Sequence, residues 1–344
     1  MENLHRPEKI LIFELNWLGD ILFSFPLLRA LRQEFPEAYI SCAVVPRYAD
    51  LLAYNPWISD VHVLSDENGI TTLGEKLAFV GLLKKEKYDM CLFLKPSSTK
   101  TVMALLAGIS ERVGFSGKNA PLTREVDIPT GEVHRADQLL ALAAAIGVNE
   151  ADGMYEYFID EEYEEKAGEL IHKEGRGANR IVALNAGGNW GPKRWPPENF
   201  ALLAKMLLAR FNDIEIMIPG SPKDLEVSQY IVSESDPERC YTLAGRTGLN
   251  ELAALFKRSV LVVSADSGPL HLASATGVAT IGLFGPTSQK LTGPRGSGEN
   301  IVIQSEVPCK IPCYVEECGM DFRCMKSITP ERVFREAERV LAGS

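Results

Sequence analysis

Short runs of apolar residues alternate along the chain with stretches in which apolar residues recur at helical spacing. Helical spacing predicts amphipathic helices at 20–35, where Pro36 ends the pattern, and at 134–146. Another helix, ending in the charged residues 84–87, precedes the fourth strand. This alternation is typical of parallel sheets covered on both faces, so we expect an α/β fold. In the first half, the apolar runs predict strands at 9–15, 39–45, 61–64 and 90–94.

The second half repeats the alternation. A final amphipathic helix is predicted at 330–341, with Thr329 as its cap and Pro330 at its start. Between the halves, residues 152–180 carry many charges and few core residues, which indicates a crossover between domains. The apolar runs of this half predict strands at 181–184, 214–218, 241–243, 260–264 and 280–284.

This organisation predicts two doubly wound, Rossmann-like domains that face a central cleft, with ligands beyond the carboxyl ends of the strands. A chain of 344 residues fits two such domains. We expect the domains at 1–160 and 161–326. The remaining segment, 327–344, contains the C-terminal helix, for which packing back on the first domain is an alternative.

Composition and charge narrow the class of protein. Hydrophobic residues make up 46% of the chain and charged residues 24%, which is typical of a soluble globular enzyme. The net charge of −10 argues against nucleic acid as a general partner, because binding its backbone needs a surplus of Lys and Arg. Residues 1–7 are polar, and no apolar run approaches the ~20 residues of a membrane-spanning helix. We therefore expect a cytoplasmic protein that meets a membrane only from the side.

The segment after the predicted strand 260–264 is the strongest candidate for a binding site. Asp266, Ser267 and Gly268 form a small-residue turn before a helix that contains His271. A helix N-terminus at a strand end offers backbone N–H groups and a positive dipole end, which attract phosphate. Asp266 can accept bonds from hydroxyls, whereas Ser267 and the Gly268 amide can donate to phosphate oxygens. The alternative is an ordinary loop with a helix cap.

A loop with two basic residues follows the predicted strand 181–184. It contains Gly187 and Gly188, which permit close approach of the backbone, and then Lys193 and Arg194. These two cations can neutralise the charge of a departing diphosphate. The loop is therefore a second candidate for phosphate binding.

Turns that contain glycine follow three further strands of the second half, at 219–224, 244–248 and 284–287. The first two can hold a base or a ribose through main-chain groups. Because the carboxyl ends of parallel strands meet at one edge of a sheet, we expect all five loops on the same side.

In the first half, a single carboxylate follows the first strand. Asp20 comes after Trp17-Leu18-Gly19, at the start of the predicted helix. It is either a general base that takes a proton from an acceptor hydroxyl or a helix N-cap. The loop has neither a G-x-G-x-x-G pattern nor a P-loop lysine, so the usual dinucleotide and triphosphate loops are not indicated.

Four of the seven cysteines cluster near the C-terminus, at Cys309, Cys313, Cys318 and Cys324. Their spacing lacks the paired C-x2-C rhythm of structural zinc sites, so we expect a thiol-rich loop, with a metal site as the alternative. No Asp-x-Asp triad follows a predicted strand, so no obligatory metal or other cofactor is expected.

Together these motifs resemble those of the bacterial lipopolysaccharide heptosyltransferases, glycosyltransferase family nine, over nearly the whole chain. Residues 107–115, His134 and the cysteine-rich segment that runs into 328–333 look most like the heptosyltransferase II branch. The residues that carry the family resemblance are Trp17-Leu18-Gly19-Asp20 with Pro26, Lys193-Arg194-Trp195-Pro196, Pro219-Gly220-Ser221 with Asp224, Asp266-Ser267-Gly268-Pro269-Leu270-His271 and Phe284-Gly285-Pro286-Thr287.

The resemblance implies a GT-B fold and an inverting transfer of heptose from ADP-L-glycero-D-manno-heptose to the inner core of lipopolysaccharide. The domain at 1–160 would bind the acceptor and carry the base, and the domain at 161–326 would bind the nucleotide sugar. The partners implied are this donor, a lipid-linked core oligosaccharide and, transiently, the surface of the inner membrane.

Residue by residue, the resemblance makes Asp20 the base and Lys193 the lysine on the donor phosphates, the two catalytic residues. It assigns Asp266 to Gly268, with His271, to the diphosphate and sugar, and the loop at 245–247 to the adenine. The residues expected to bind the donor are Gly187, Gly188, Lys193, Arg194, Ser221, Asp224, Gly245, Arg246, Thr247, Asp266, Ser267, Gly268 and His271.

The chain departs from the family at two points. Gly187 and Gly188 stand where Thr or Ser is frequent, which leaves main-chain contacts only, and Asp224 matches the acidic residue of its turn loosely. Strand-end position alone suggests an acceptor site at Lys95, Ser97, Ser98 and Lys100. Two alternatives stay open: a GT-B transferase or epimerase for another nucleotide sugar, and a non-catalytic two-domain binding protein.

Overall fold

The computed structural model describes residues 6–64, 72–117, 120–148, 151–175, 177 and 180–343. Residues 1–5 of the polar N-terminal stretch and Ser344 lie outside the described residues. The chain divides into two compact units, Met1–Met154 and Tyr155–Ser344. The division thus falls after residue 154, whereas the sequence placed it after residue 160.

The first unit is a parallel sheet with helices. Its strands are β1 (Lys9–Phe13), β2 (Tyr39–Val44), β3 (Asp60–Val63), β4 (Met90–Phe93), β5 (Glu111–Phe115) and β6 (Arg124–Val126). Its helices are α1 (Leu18–Glu34), α2 (Ala49–Leu52), α3 (Leu73–Glu86), α4 (Ser98–Ala107) and α5 (Arg135–Ala145), with a 3-10 turn at Pro46–Tyr48. The strand order is β3-β2-β1-β4-β5-β6, and every neighbouring pair is parallel.

Both faces of this sheet are buried. Leu11 and Phe13 of β1 lie in one core with side chains of α3 and α4, such as Leu83 and Met103. Ile10 and Ile12 point to the opposite face because side chains alternate along a strand, and they are fully buried too. Continuous apolar strands of this kind are expected where helices cover a parallel sheet on both sides.

The second unit repeats the design. Its strands are β7 (Arg180–Asn185), β8 (Ile214–Ile218), β9 (Cys240–Thr242), β10 (Leu261–Ala265), β11 (Thr280–Phe284) and β12 (Asn300–Gln304). Its helices are α6 (Glu161–Glu174), α7 (Pro197–Arg210), α8 (Leu225–Glu234), α9 (Leu249–Lys257), α10 (Gly268–Ala275), α11 (Gln289–Thr292), α12 (Arg323–Lys326) and α13 (Pro330–Gly343). The order of this parallel sheet is β12-β11-β10-β7-β8-β9.

The C-terminal helix α13 belongs to the second unit. Val333, Ala337 and Leu341 recur every four residues and are buried in the same core as α7. This apolar stripe packs against α7, β10 and β11. The apolar face of α13 is thus used within the second unit.

The predicted fold class is confirmed: the chain is an α/β protein with two doubly wound sheets. Within the described ranges, no helix combines the length and the apolar character needed to cross a bilayer.

In each sheet, the first three strands along the chain extend the sheet to one side, and the next three extend it to the other side. The reversal lies between β1 and β4 in the first unit and between β7 and β10 in the second. In doubly wound sheets, ligands bind in the crevice beyond the carboxyl ends of the strands at this point. These two positions are where candidate site residues are sought.

Candidate functional site

A buried carboxylate lies at the reversal point of the second unit. Asp266 directly follows β10, and Lys193 Nζ lies 2.7 Å from its Oδ2 atom. On the other side, His271 Nε2 of α10 lies 3.4 Å from Oδ1. The structure therefore brings together three predicted donor-site residues that come from two separate loops and a helix.

The electrostatics of this cluster favour an ionised Asp266. Burial alone would raise the pKa of the Asp266 carboxyl, but the hydrogen bond from His271 and the charge of Lys193 outweigh it and hold the pKa well below its ordinary value. The side chain of Asp266 is 4% exposed and that of Lys193 is 27% exposed. The cation is thus fixed by a buried partner and still open to solvent on one side.

Tyr155 orients the His271 ring through Nδ1, the ring nitrogen that does not face Asp266. Its hydroxyl oxygen accepts a hydrogen bond from the Arg295 N–H at 2.9 Å and lies 3.1 Å from His271 Nδ1. Burial raises the pKa of Tyr155, so the phenol keeps its proton and can donate it to Nδ1. Donation to Nδ1 leaves the Nε2–H of His271 directed at Asp266. Sequence reasoning missed Tyr155, which is 116 residues away from His271 along the chain.

The turn after Asp266 opens α10. Ser267 occupies the N-cap position with extended backbone, but its side chain makes no capping bond. Its Oγ atom instead lies 3.1 Å from Ser264 Oγ, and Asn185 Nδ2 donates to Ser264 Oγ at 2.9 Å. Ser267 thus stands at the predicted cap position of the helix, without a capping bond from its side chain. Gly268 is the first residue of the helix, where the positive end of the dipole lies.

Arg194 stabilises the loop between β7 and α7. Its Nε and Nη2 atoms both donate to the carbonyl oxygen of Gly188, at 2.8 and 2.6 Å. The guanidinium therefore links the end of the loop to its beginning. In this arrangement Lys193, rather than Arg194, is the cation held at the buried carboxylate.

Gly187 lies against Asp224, the acidic residue of the next loop. The Asp224 Oδ2 atom accepts hydrogen bonds from the Ser221 N–H and the Ser221 hydroxyl, at 2.9 and 2.6 Å. An ideal Cβ atom on Gly187 would lie 2.6 Å from the same Oδ2 atom. Asp224 and Ser221 thus have a structural role in fixing their turn, and any side chain at position 187 would have to displace the Asp224 carboxylate.

The loop expected to hold adenine is shaped by a glycine in the left-handed region. Gly245 has a φ of 77° and donates its N–H to Gly220 O at 2.8 Å. Arg246 is paired with Glu174 at the end of α6, with 2.6 Å between Nη1 and Oε1. Thr247 is partly buried beside them. The loop carrying Gly220 and the loop carrying Gly245 are therefore neighbours at one edge of the sheet.

Trp195 ties the Lys193 loop to the C-terminal segment. The indole is buried, packs edge-on against Phe200 with ring centroids 4.8 Å apart, and donates from Nε1 to Ile328 O at 2.8 Å. Ile328 precedes α13. The position of the loop thus depends on residues more than a hundred positions further along the chain.

In the first unit, Asp20 is the third residue of α1. Trp17 occupies the N-cap position, so the interpretation of Asp20 as an N-cap is wrong. An acid in the first turn still interacts favourably with the helix dipole. Asp20 is partly buried, at the carboxyl-end side of β1.

Glu14 is a further titratable group and directly follows β1. In the sequence it is visible only as a charged residue that interrupts an apolar run. Its side chain is buried, and Oε1 accepts a hydrogen bond at 2.9 Å from Ser24, one helical turn after Asp20. Burial raises the pKa of Glu14 to about 7. A carboxyl group that titrates near neutrality therefore supports the helix that carries Asp20.

The four residues suggested for acceptor binding have different surroundings. Ser97 is the N-cap of α4, with its hydroxyl accepting from the Lys100 N–H at 3.2 Å. Lys100 Nζ donates to the backbone oxygen of Glu14 at 3.4 Å, and burial lowers the pKa of this lysine. Lys95 and Ser98 are exposed. Only Lys100 is thus brought to the loop that follows β1.

The four clustered cysteines line one small apolar cavity of about 30 Å³ beside Gly285 and Pro286. All four are free thiols and partly buried. Across the described part of the chain, no group of three His, Cys, Asp or Glu side chains is arranged to hold a metal ion.

Comparison with known proteins gives matches over most of the chain. Residues 77–322 match the family model described as glycosyltransferase family 9 (heptosyltransferase). The chain is similar to lipopolysaccharide heptosyltransferase 2 of Escherichia coli K12, with 26% identity over 97% of this chain and 98% of that protein.

Two solved structures have the same fold. The glycosyl transferase family 9 protein from Veillonella parvula aligns with a TM-score of 0.86 and 24% identity, covering 98% of each chain. The Escherichia coli ADP-heptose lipopolysaccharide heptosyltransferase II aligns with a TM-score of 0.80 and 24% identity, over 97% of this chain and 99% of that one.

Proposed function

This chain belongs to glycosyltransferase family 9, the heptosyltransferases, and on that premise we propose that it transfers heptose from ADP-heptose to the inner core of lipopolysaccharide. The names of its relatives support both substrates, since they are a lipopolysaccharide heptosyltransferase and an ADP-heptose heptosyltransferase. The observation that carries the proposal is the solvent-open Lys193 held on the buried Asp266 at the start of α10.

The second unit binds the donor in this proposal. The diphosphate lies at the N-terminus of α10, where Lys193 and the helix dipole stabilise the negative charge that grows on the departing ADP. The adenosine lies at the adjacent loops that carry Gly220 and Gly245, which offer main-chain donors and acceptors. His271 and Asp266 keep Lys193 in position before the donor arrives.

The first unit supplies the base. Asp20 removes the proton from the acceptor hydroxyl as its oxygen attacks the anomeric carbon of heptose. The bond from that carbon to the phosphate oxygen of ADP breaks as the new glycosidic bond forms, so the configuration inverts. No step needs a metal ion.

A product assay tests the proposal. The full chain is incubated with ADP-heptose and a core oligosaccharide acceptor that ends in a single heptose, and mass spectrometry should detect one added heptose together with released ADP. Conversion of a nucleotide sugar without any acceptor would indicate an epimerase instead. Binding of ADP-heptose without any product, with every acceptor tried, would indicate a non-catalytic binding protein.

A donor screen tests the nucleotide separately. ADP-heptose should raise the melting temperature of the protein well above the effect of UDP-sugars or GDP-sugars, because at equal concentration the ligand that binds the native state more tightly stabilises it more. Equal shifts with all three nucleotides would contradict the assignment of ADP.

A further inference from the structure

Two neighbouring helices of the first unit present apolar side chains to solvent. Leu73 is 72% exposed and Leu106 is 55% exposed, although leucine is usually a core residue. We call the solvent side of these two helices the α3–α4 face. Its exposed apolar side chains are Leu73, Leu77 and Leu82 of α3 and Val102, Leu105 and Leu106 of α4.

Five of these six side chains form two stripes, one along each helix. The two helices pack against each other, and their inward sides already fill the core through residues such as Phe79 and Met103. Leu73 and Leu77 are four residues apart, and Val102 precedes Leu105 and Leu106 by three and four, so each of these two groups lies on one side of its helix. Leu82, nine residues after Leu73, lies on the other flank of α3. The helices are therefore apolar on the core side and on the solvent side.

The other helix pair of this unit, α1 and α5, is different. Its exposed positions carry only polar, charged or small residues: Gln33, Glu34, Arg135 and Ala144. Scattered apolar side chains are normal on a protein surface, but six that are concentrated on one helix pair indicate an interaction surface.

The charge of the α3–α4 face is opposite to that of the whole chain. Its exposed positions include Lys84 and Lys85 and no acidic residue, whereas the chain has a net charge of −10. Glu75 is used in the capping box of α3, and Glu86 is paired with Lys9 at 3.4 Å. Neither Lys84 nor Lys85 forms an ion pair with any residue in the described part of the chain.

Apolar side chains next to cations, on helices that lie flat on the protein, fit the interface of an anionic bilayer. A second copy of the chain fits less well. Helices of 14 and 10 residues are about 21 and 15 Å long and cover roughly 400 Å², about half of what each partner buries in a stable dimer.

We propose that the α3–α4 face docks the protein on an anionic phospholipid surface. The inference rests on the proposed function in one respect: a lipid-linked acceptor makes such docking useful. Ser98, suggested for acceptor binding, is the first residue of α4, so the docked face adjoins the acceptor loop. Docking through this face gives the protein one defined orientation on the membrane.

Vesicle flotation of the full chain tests this, without any sugar substrate. Vesicles of phosphatidylcholine with added phosphatidylglycerol should bind the protein, and vesicles of phosphatidylcholine alone should bind it more weakly. Leu105→Gln with Leu106→Gln should lower the partition coefficient about tenfold, since half-exposed leucines lose apolar contact. Lys84→Glu with Lys85→Glu should lower binding to the anionic vesicles by at least about tenfold.

The matched control is Leu202→Gln, which changes an exposed leucine of α7 in the second unit and should leave binding unchanged. All substituted positions are exposed, so the melting temperatures should stay close to that of the parent. If the α4 variant unfolds, Leu73→Gln with Leu77→Gln replaces it.

The proposal is overturned if the parent protein floats with neither vesicle, or if the variants bind as well as the parent. A dimer that the glutamine substitutions dissolve, without vesicle binding, would assign the face to a second copy and overturn it too. Transfer to a water-soluble acceptor should be unaffected by the variants, so failure of docking and failure of the proposed transferase activity are told apart.

Discussion

Lys193 and Asp266 form an ion pair, 2.7 Å between Nζ and Oδ2, in which only the lysine is open to solvent. Two consequences follow for a phosphate ligand. The ammonium is already ordered, so little side-chain entropy is lost when an anion binds. The carboxylate behind it stays ionised, because Lys193 and His271 hold its pKa down.

Lys193→Ala should weaken ADP binding by about tenfold to a hundredfold, because it removes a charge-assisted contact and leaves Asp266 without its lysine partner. Isothermal titration calorimetry measures the effect. Lys205→Ala, at an exposed lysine of α7 whose nearest carboxylate oxygen is 3.9 Å away, is the control and should bind ADP normally. Unchanged affinity in the Lys193 variant would remove this residue from the donor site.

Gly187→Ala should disturb the contact between two loops of the proposed donor site. Its Cβ atom would lie 2.6 Å from Asp224 Oδ2, so we expect a loss of about 1–3 kcal/mol in the free energy of unfolding and weaker ADP binding. Gly191→Ala is the matched control in the same loop, since nothing lies within 4 Å of its Cβ position. Urea unfolding and calorimetry should separate the two variants. Equal behaviour would mean that the loops are not in close contact.

Asp20→Ala should reduce turnover by ~10²–10⁴, as expected on loss of a general base, while ADP affinity stays near that of the parent. Initial rates at saturating donor measure turnover, and calorimetry measures affinity. Asp20→Asn keeps the size of the side chain and should be equally slow. A variant with nearly normal turnover would limit Asp20 to its interaction with the dipole of α1.

Glu14→Gln should change how stability depends on pH. The folded-state pKa of Glu14 is raised to about 7, so the native state holds a proton that the unfolded state releases above about pH 4.5. The parent therefore loses stability as pH rises from about 4.5 to 7, by about 3 kcal/mol. Glutamine cannot ionise.

The Glu14→Gln variant should accordingly match the parent near pH 4 and exceed it near pH 8 in urea unfolding. Glu34→Gln, at an exposed position at the end of α1, serves as the control for the removal of one negative charge. A stability difference that is the same at both pH values would show that Glu14 does not titrate in this range.

Chelation of divalent metal ions should leave transfer active. The proposed site neutralises the leaving diphosphate with Lys193 and the N-terminus of α10 rather than with a carboxylate-bound cation. Initial rates are compared before and after treatment with a chelator. Abolished activity that returns on addition of Mg²⁺ would contradict a metal-independent transfer.

The interior strands could be predicted from sequence because they are buried on both faces. The predicted ends of β8 and β11 match the observed ones, since each is a mostly apolar run between turn residues, interrupted by Glu215 in β8 and by Gly282 in β11. The edge region of the first sheet gave no such signal. β6 has one apolar residue among its three, and β5 begins with Glu111 and Arg112.

For the site, the sequence predicts the loops and leaves the contacts undetermined. Parallel strands place their carboxyl ends at one edge, so the convergence of the loops of the second unit follows from topology. Which side chains meet does not follow, because it depends on side-chain direction. Arg194 and Lys193 are neighbours in sequence, yet one closes its own loop and the other reaches Asp266.

The hydrogen bond from Trp195 to Ile328 has a consequence for biosynthesis. The loop that carries Lys193 is held by a carbonyl group 133 residues further along, close to the last helix. During translation the first unit can fold early, but this anchor exists only when nearly the whole polypeptide has left the ribosome. The nascent protein therefore acquires the final form of the loop that carries Lys193 only at the end of synthesis, and a chain released early lacks it.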